Sequence, residues 1–456
     1  MFKKTTLIPI LALLILAPLT WFYVVRFESR PPEVDWDREI RYLGRQQSLQ
    51  LTVADPGSGI RRVRVILSQA GEEKVVLDEE FPALGWMEGG EHKHAEFTLT
   101  LEPAKLGTAN GAARLTAEAW DHSLNSWFKG NRTSVVSEVT VDTSPPMISV
   151  VSNTVYLNQG GAGLVVYRIS KDVPEQGLKV NGRFFRGFPV RGQDGLYQAL
   201  FALPHETSDV DMFLRARDQA GNEGAARFHY RVKRKRFKSD RIELSQGFLD
   251  RLAADFVTRY PELGAKGSSL DVFLEINSKM RSENDATFMR LCTQSHEDPL
   301  WEGGFESLKN AAARAGFADH RTYTREGQEV AQSVHLGLDL ASLARAPIPA
   351  GNHGIVVEAA YIGIYGNTVV LDHGAGLFSI YSHLSEFAVQ KGDSVKKGQT
   401  IGYTGTTGLA GGDHLHLGIA VHGVFVDPIE WLDPKWVEDK ITQPIRIASE
   451  AGDTAS

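Results

Sequence analysis

The chain holds a single cysteine, Cys292, in 456 residues. That excludes an intramolecular disulfide framework and a thiolate zinc cluster. It lacks a basic excess: 49 Lys and Arg face 56 Asp and Glu, for a net charge of -7. No electrostatic footprint for nucleic acid is present, and no nucleic-acid partner is expected. The glycine-rich stretch 405–412 (G-T-T-G-L-A-G-G) lacks the Lys-Ser/Thr pair of a phosphate-binding loop and reads as a groove-side turn. What is present suits folded domains, with 42% hydrophobic and 23% charged residues.

One uncharged apolar run extends from Thr5 to Val25, between Lys3-Lys4 and Arg26. As a helix it is roughly 30 Å long, the thickness of a bilayer core. Its end is bulky and aromatic (Trp21, Phe22, Tyr23) rather than small-x-small, which favours an uncleaved anchor over a signal peptide. The flanking lysines favour a cytoplasmic tail. The expectation is a transmembrane helix at 5–25 in the inner or cytoplasmic membrane. The chain is then single-pass, with its bulk outside the cytoplasm on the periplasmic or cell-wall side.

A polar stalk with Pro31-Pro32 follows, and then the period becomes two. Leu49, Leu51 and Val53 alternate with polar residues, as do Val63, Val65 and Leu67. This predicts a β-sandwich over 42–142. After Thr143-Ser144-Pro145-Pro146, a second strand-rich block at 147–232 predicts another. Each block carries an Asp-x-x-x-Asn turn, Asp121 to Asn125 and Asp218 to Asn222. Asp and Asn there hydrogen-bond turn backbone, and the weak repeat suggests two copies of one module. The modules resemble the immunoglobulin-like domains of bacterial envelope proteins, which implies contacts with envelope protein partners.

From Ser245 the period is 3.6. Phe248, Leu249, Leu252, Ala253, Phe256 and Val257 share a face, with Ser245 as cap. Helical patterning is read on through 269–280, 287–292 and 304–315, giving a helical connecting block at 244–316. Cys292 and His296 are four apart, but two groups make no site. An all-β domain is expected at 317–436, and a frayed polar tail at 437–456. The fold class is thus multidomain and mainly β: an N-terminal transmembrane helix, two sandwiches, a helical block and a C-terminal all-β domain.

The chemistry gathers in three stretches, S-V-H-L-G-L-D-L-A, Y-S-H-L and G-D-H-L-H-L-G. They carry His335, Asp339, His383, His414 and His416. Alternate residues of a strand share a face, so His335 and Asp339 point one way, with Leu336, Leu338 and Leu340 toward a core. His414 and His416 share a face, as do Tyr381 and His383. Two imidazoles and a carboxylate suit Zn²⁺, and three protein ligands leave one position for water. Spacing alone leaves open that these are ordinary polar residues of a β domain.

Residues from about 317 to 434 resemble the LytM/lysostaphin-type zinc metallopeptidases, family M23. The matching text is H-L-G-L-D-L-A at 335–341, G-N-T-V-V-L-D-H-G at 366–374, Y-S-H-L-S at 381–385 and V-Q-K-G-D-S-V-K-K-G-Q-T-I-G-Y-T-G-T-T-G at 389–408. It continues with G-D-H-L-H-L-G at 412–418 and F-V-D-P-I-E-W-L at 425–432, and F-A-D-H-R-T-Y at 317–323 looks like an entry strand. The resemblance implies one zinc per chain held by His335, Asp339 and His416. It implies His383 and His414 as the catalytic pair; Tyr381, which shares a strand face with His383, reads either as a groove-lining residue or as a core tyrosine. It further implies hydrolysis of peptide bonds in peptidoglycan by a zinc-activated water, so that the whole reads as a membrane-anchored metalloendopeptidase. The alternative is a non-enzymatic envelope binding or scaffold protein that regulates other wall hydrolases. One departure stands out: many members have Phe-Glu after H-L-H, whereas here Leu417-Gly418 follow.

Overall fold

The structure is a computed structural model that describes residues 4–85, 88–207 and 209–453. It divides into two compact units, one of residues 1–146 with 217–223, the other of 147–216 with 224–456.

The first helix, Lys4–Arg26, contains the run expected as an anchor. Among the described residues no helix is long and apolar enough to cross a membrane. The expected transmembrane helix, the membrane partner, the membrane-anchored enzyme and the single-pass topology are corrected accordingly. Only side chains 12–24 of the apolar run are described. The rest of the run lies outside the described side chains.

In the first unit, Glu33–Trp36, Gln47–Ala54 and His94–Leu101 form one sheet. Tyr42–Leu43, Arg132–Val141, Gly111–Asp121, Ile60–Gln69 and Glu72–Glu80 form another. Leu49, Leu51 and Val53 of the first sheet share a core with Val63, Val65 and Leu67 of the second. The period-two pattern therefore delivers one buried face per sheet. Both Asp-x-x-x-Asn turns are tied by their own carboxylates. Asp121 accepts the Ser123 and Asn131 N–H groups, and Asp218 accepts that of Asn222.

In the second unit, Gln246–Arg259 is a helix capped by Ser245, whose hydroxyl accepts the Phe248 N–H, and it buries Leu249, Leu252 and Phe256. Helices Ser269–Glu275 and Arg281–Leu291 follow, joined by a π-helical turn. The helix expected over 304–315 does not form. Phe305 N–H instead donates to Trp431 O, and Ala312–Ala315 is a strand paired with Leu338–Ala341. Sheet pairing there overrides the helical propensity of the alanine-rich segment 311–315. Nor is the last segment frayed. Gln443–Asp453 is helical, and Ile441 and Ala448 are buried in one cluster with Val165, Leu200 and Phe201 of strands Ala162–Ile169 and Leu196–Ala202.

The central sheet runs in the order Ala312–Ala315, Leu338–Ala341, Leu415–Val421, Leu377–Leu384, Gly366–Asp372, Gly354–Ile362 and Ser394–Val395, with Val424–Val426 beside Leu415–Val421. Strands Leu377–Leu384 and Leu415–Val421 are buried along their whole length. The helical block covers one face, where Phe273 and Phe288 join Phe378, Ile380 and Ala420. Leu377, Ile419 and Val421 pack on the other side in that same cluster with Val165, Leu200 and Phe201. A sheet covered on both faces needs near-continuous apolar strands, so each polar side chain within it marks a place where burial is offset by a partner.

Two histidines, His373 and His422, sit just past the ends of strands Gly366–Asp372 and Leu415–Val421. Burial pushes both rings from 6.5 down to about 4. The folded chain therefore resists protons that the unfolded chain accepts below pH 6.5. Stability from these rings is fully present above that pH and lost as pH falls toward about 4. Each should lower the unfolding free energy by up to about 1.4 kcal/mol per pH unit in that window. Urea melts at pH 7.5, 6 and 5 should show the slope, and His422→Gln should flatten it. Rising stability over the same acidification would contradict the assignment.

Candidate metal centre

Asp339 and His416 sit directly opposite each other on paired antiparallel strands. His335 closes the strand Gln328–His335 just before Leu338–Ala341 begins. Register and a short turn thus bring three side chains together. His335 Nε2 lies 2.8 Å from Asp339 Oδ1 and 2.9 Å from His416 Nδ1, and the last pair is 3.0 Å apart. All three residues are buried.

The tautomers follow from the outer partners. His335 Nδ1 is 2.7 Å from Gly316 O. A carbonyl only accepts, so Nδ1 carries the proton and Nε2 presents a lone pair to the cluster. The other His416 nitrogen is buried without a hydrogen-bond partner among the described residues. A proton on that atom leaves Nδ1 free as well. Three lone pairs thus converge within about 3 Å, an arrangement that calls for a cation between them. Gly337 leaves the room: a Cβ there would stand 2.5 Å from His416 Nε2 and 2.7 Å from Leu417 O. The donor set, two imidazoles and a carboxylate, fits zinc.

Burial opposes charge on Asp339, but hydrogen bonds with His335, His414 and His416 hold its carboxyl well below the usual carboxylate range. It is therefore an anion. Its second oxygen, Oδ2, accepts from Arg321 Nη2 at 3.1 Å. Arg321 was not singled out as a site residue from sequence, although it lies in the stretch F-A-D-H-R-T-Y. The departure at Gly418 also has a local cause. A Cβ there would meet Phe425 Cε1 at 3.0 Å, so a longer side chain has no space in that packing. The ligand carboxylate itself is held by Arg321. Arg321→Gln should weaken zinc binding by about 10- to 100-fold. Competition with a chromophoric chelator would measure it, and unchanged affinity would remove Arg321 from this role.

The two remaining histidines hang from one loop. His383 Nδ1 is 2.8 Å from Thr407 O, and His414 Nδ1 is 2.8 Å from Gly412 O. Each therefore keeps its proton on Nδ1 and offers Nε2 as a base. Their ring centroids are 4.8 Å apart, and His414 Nε2 stands 3.6 Å from Asp339 Oδ1. Burial, followed by the neighbouring His414 and His416, pushes His383 down to about 3. His414 moves the other way: burial lowers it, but Asp339 more than compensates and raises it. His383 also has φ of 64°, a region costly for a non-glycine residue and common at functional sites. That kink breaks the strict alternation read for Tyr381 and His383.

Tyr381 does not line the groove. It is 1% exposed, and its hydroxyl accepts from Gly351 N–H at 2.7 Å. Leu336 makes the opposite move. Expected in the core, it lines the cavity with the five polar site residues, because the strand is broken between His335 and Leu338. The cavity measures about 400 Å³. Its other wall is helical-block residues, among them Phe248, Phe273 and Arg281, which no strand pattern would reveal. Cys292 stays apart, buried, its thiol pushed up to about 12 by that burial.

Residues 333–428 match the model of Peptidase family M23. The DD-carboxypeptidase/endopeptidase Mpg of Neisseria meningitidis is 35% identical over 96 residues, 21% of this chain and 22% of its own. The peptidoglycan DD-endopeptidase ShyA of Vibrio cholerae is 39% identical over 89 residues, 20% of this chain and 21% of its own. The solved catalytic domain of the antimicrobial peptidase lysostaphin from Staphylococcus simulans is 29% identical, with a TM-score of 0.24, covering 28% of this chain and 98% of that one. The chain spans about a fifth of the length of the first two relatives.

Proposed function

We infer that the M23-type C-terminal domain, of zinc-metallopeptidase class by its family match and its His/Asp/His cluster, hydrolyses peptide bonds of bacterial peptidoglycan. The observation that carries this is the buried cluster of three lone-pair atoms at 2.8 to 3.0 Å on the wall of a cavity shared with two further histidines. The peptidoglycan substrate is taken from the name of the relative ShyA, a peptidoglycan DD-endopeptidase.

His335, Asp339 and His416 would hold one Zn²⁺. Bound there, zinc supplies Lewis acidity and lowers the pKa of water. The protein's own groups do the rest. Phe248, Phe273, Leu336 and Leu409 give the peptide an apolar seat that excludes bulk water. His414 Nε2, the more basic of the pair, takes the proton of the attacking water and returns it to the leaving amine. His383 stays neutral because burial depresses it. Its Nε2 accepts a hydrogen bond from that water and orients it. Departure of the amine regenerates both rings in their starting tautomers.

The test is digestion of purified peptidoglycan by the zinc-loaded full chain, with the soluble products identified by mass spectrometry. Newly freed peptide termini are expected and would name the bond. Intact peptidoglycan, with folded protein that binds stoichiometric zinc, would overturn the substrate assignment.

A further inference from the structure

The cavity is lined by four formally charged groups besides its histidines: Glu243, Arg281, Arg321 and Asp339. Three are matched. Asp339 is held by Arg321. Glu243 accepts from Thr324 Oγ1 at 2.6 Å and Glu326 N–H at 2.7 Å, a third N–H comes from Gly327, and the Arg325 charge acts on it as well. Arg281 differs. Its Nε donates to Asn277 O at 3.3 Å and its Nη2 to Asn277 Oδ1 at 2.9 Å. Both partners are neutral, and no carboxylate lies within ion-pair distance of Arg281 among the described residues. Asp285, one turn further along the helix, accepts from Tyr365 Oη at 3.4 Å.

The guanidinium is nevertheless fixed. Asn277 is 5% exposed, and its Nδ2 donates to Gln332 O at 3.0 Å. This anchors Arg281 to the strand that ends in the ligand His335. A half-buried, oriented guanidinium beside Phe248, Phe273 and Leu336 has lost water without gaining a carboxylate in contact; Asp285 acts on it only from beyond ion-pair distance. Its fork of N–H groups matches a carboxylate.

Resting on the hydrolase reading above, the geometry points to Arg281 as a specificity-determining residue: it anchors a free carboxylate of the substrate peptide while the scissile bond lies at the metal centre. The helical block thereby supplies part of the substrate site. Two carboxylates could serve, the C-terminal one or a side-chain one near the scissile bond.

Three synthetic cross-linked stem peptides separate these sources: both carboxyls free, the C-terminus amidated, or the side-chain carboxyl amidated. With the zinc-loaded full chain, one of the two amides should lower kcat/KM by about 10- to 100-fold, as expected for a charge-assisted hydrogen bond, and that amide names the source. Arg281→Gln should shrink the discrimination ratio to near one, and Arg281→Lys should retain part of it. Titration of metal-free protein with the corresponding product peptides should show the same loss in Kd ratio. A wild-type ratio near one for both amides overturns the proposal. So does a fall of equal factor for all three peptides in both variants, because that is what a structural role gives. If wild type cleaves none of the three, the hydrolase reading itself fails, and this inference with it.

Discussion

His416→Ala should leave a folded chain that holds no stoichiometric zinc and cleaves peptidoglycan at least about 10³-fold more slowly. His416 gives one of only three protein donors, and its loss removes several kcal/mol of transition-state stabilisation. The effect is local, because Asp339 and His335 remain on their own strands and the ladder between Leu338–Ala341 and Leu415–Val421 is backbone. Deleting the ring leaves a small void beside Tyr365, whose ring lies 5.5 Å away. A modest loss of stability is therefore expected, and a parallel His416→Gln chain controls for it. Zinc by elemental analysis, near-UV circular dichroism and product release should be measured on the same samples. Cleavage within tenfold of wild type by zinc-free His416→Ala would sink the metal-dependent reading.

His414→Ala should separate binding from chemistry. Zinc stays stoichiometric, while kcat falls by about 10²- to 10⁴-fold, the range for loss of a positioned base. His383→Ala should cost less, because its ring is too weak a base to carry the proton. The acid limb of the wild-type pH profile should be absent from the residual activity of His414→Ala. In His383→Ala it should persist. If His383→Ala were the more damaged of the two and lost that limb, the roles would have to be exchanged.

Much of this centre was legible before any coordinates. His335, Asp339 and His416 share a motif context whose order and spacing carry the M23 resemblance, and the ladder register then brings Asp339 against His416. The strands around them were readable because a two-residue period has one physical meaning. Other parts were not. Arg321 acts through a contact across 18 positions of sequence, and no local pattern tells a surface arginine from one that grips a ligand. The wall of Phe248, Phe273 and Arg281 comes from a helical face that looks like any amphipathic face; only tertiary packing shows that its edge borders the metal centre. Tyr381 was placed beside the groove by alternation, which the positive φ at His383 breaks. The apolar run at 5–25 was read from hydropathy alone, and among the described residues no helix is long and apolar enough to cross a membrane.

The loop at 405–412 has a consequence for how such a domain loses its activity over generations. Both non-ligand histidines take their tautomers from carbonyls of this one loop, Thr407 and Gly412, while the three metal-directed side chains belong to strands or their ends. A one-residue insertion in the loop would turn both carbonyls away together and silence proton transfer in a single event. The strands would still gather an ion, and the domain would persist as a folded, metal-loaded module. Lineages that need the surface and not the reaction have a short path to it, and the reverse path is equally short.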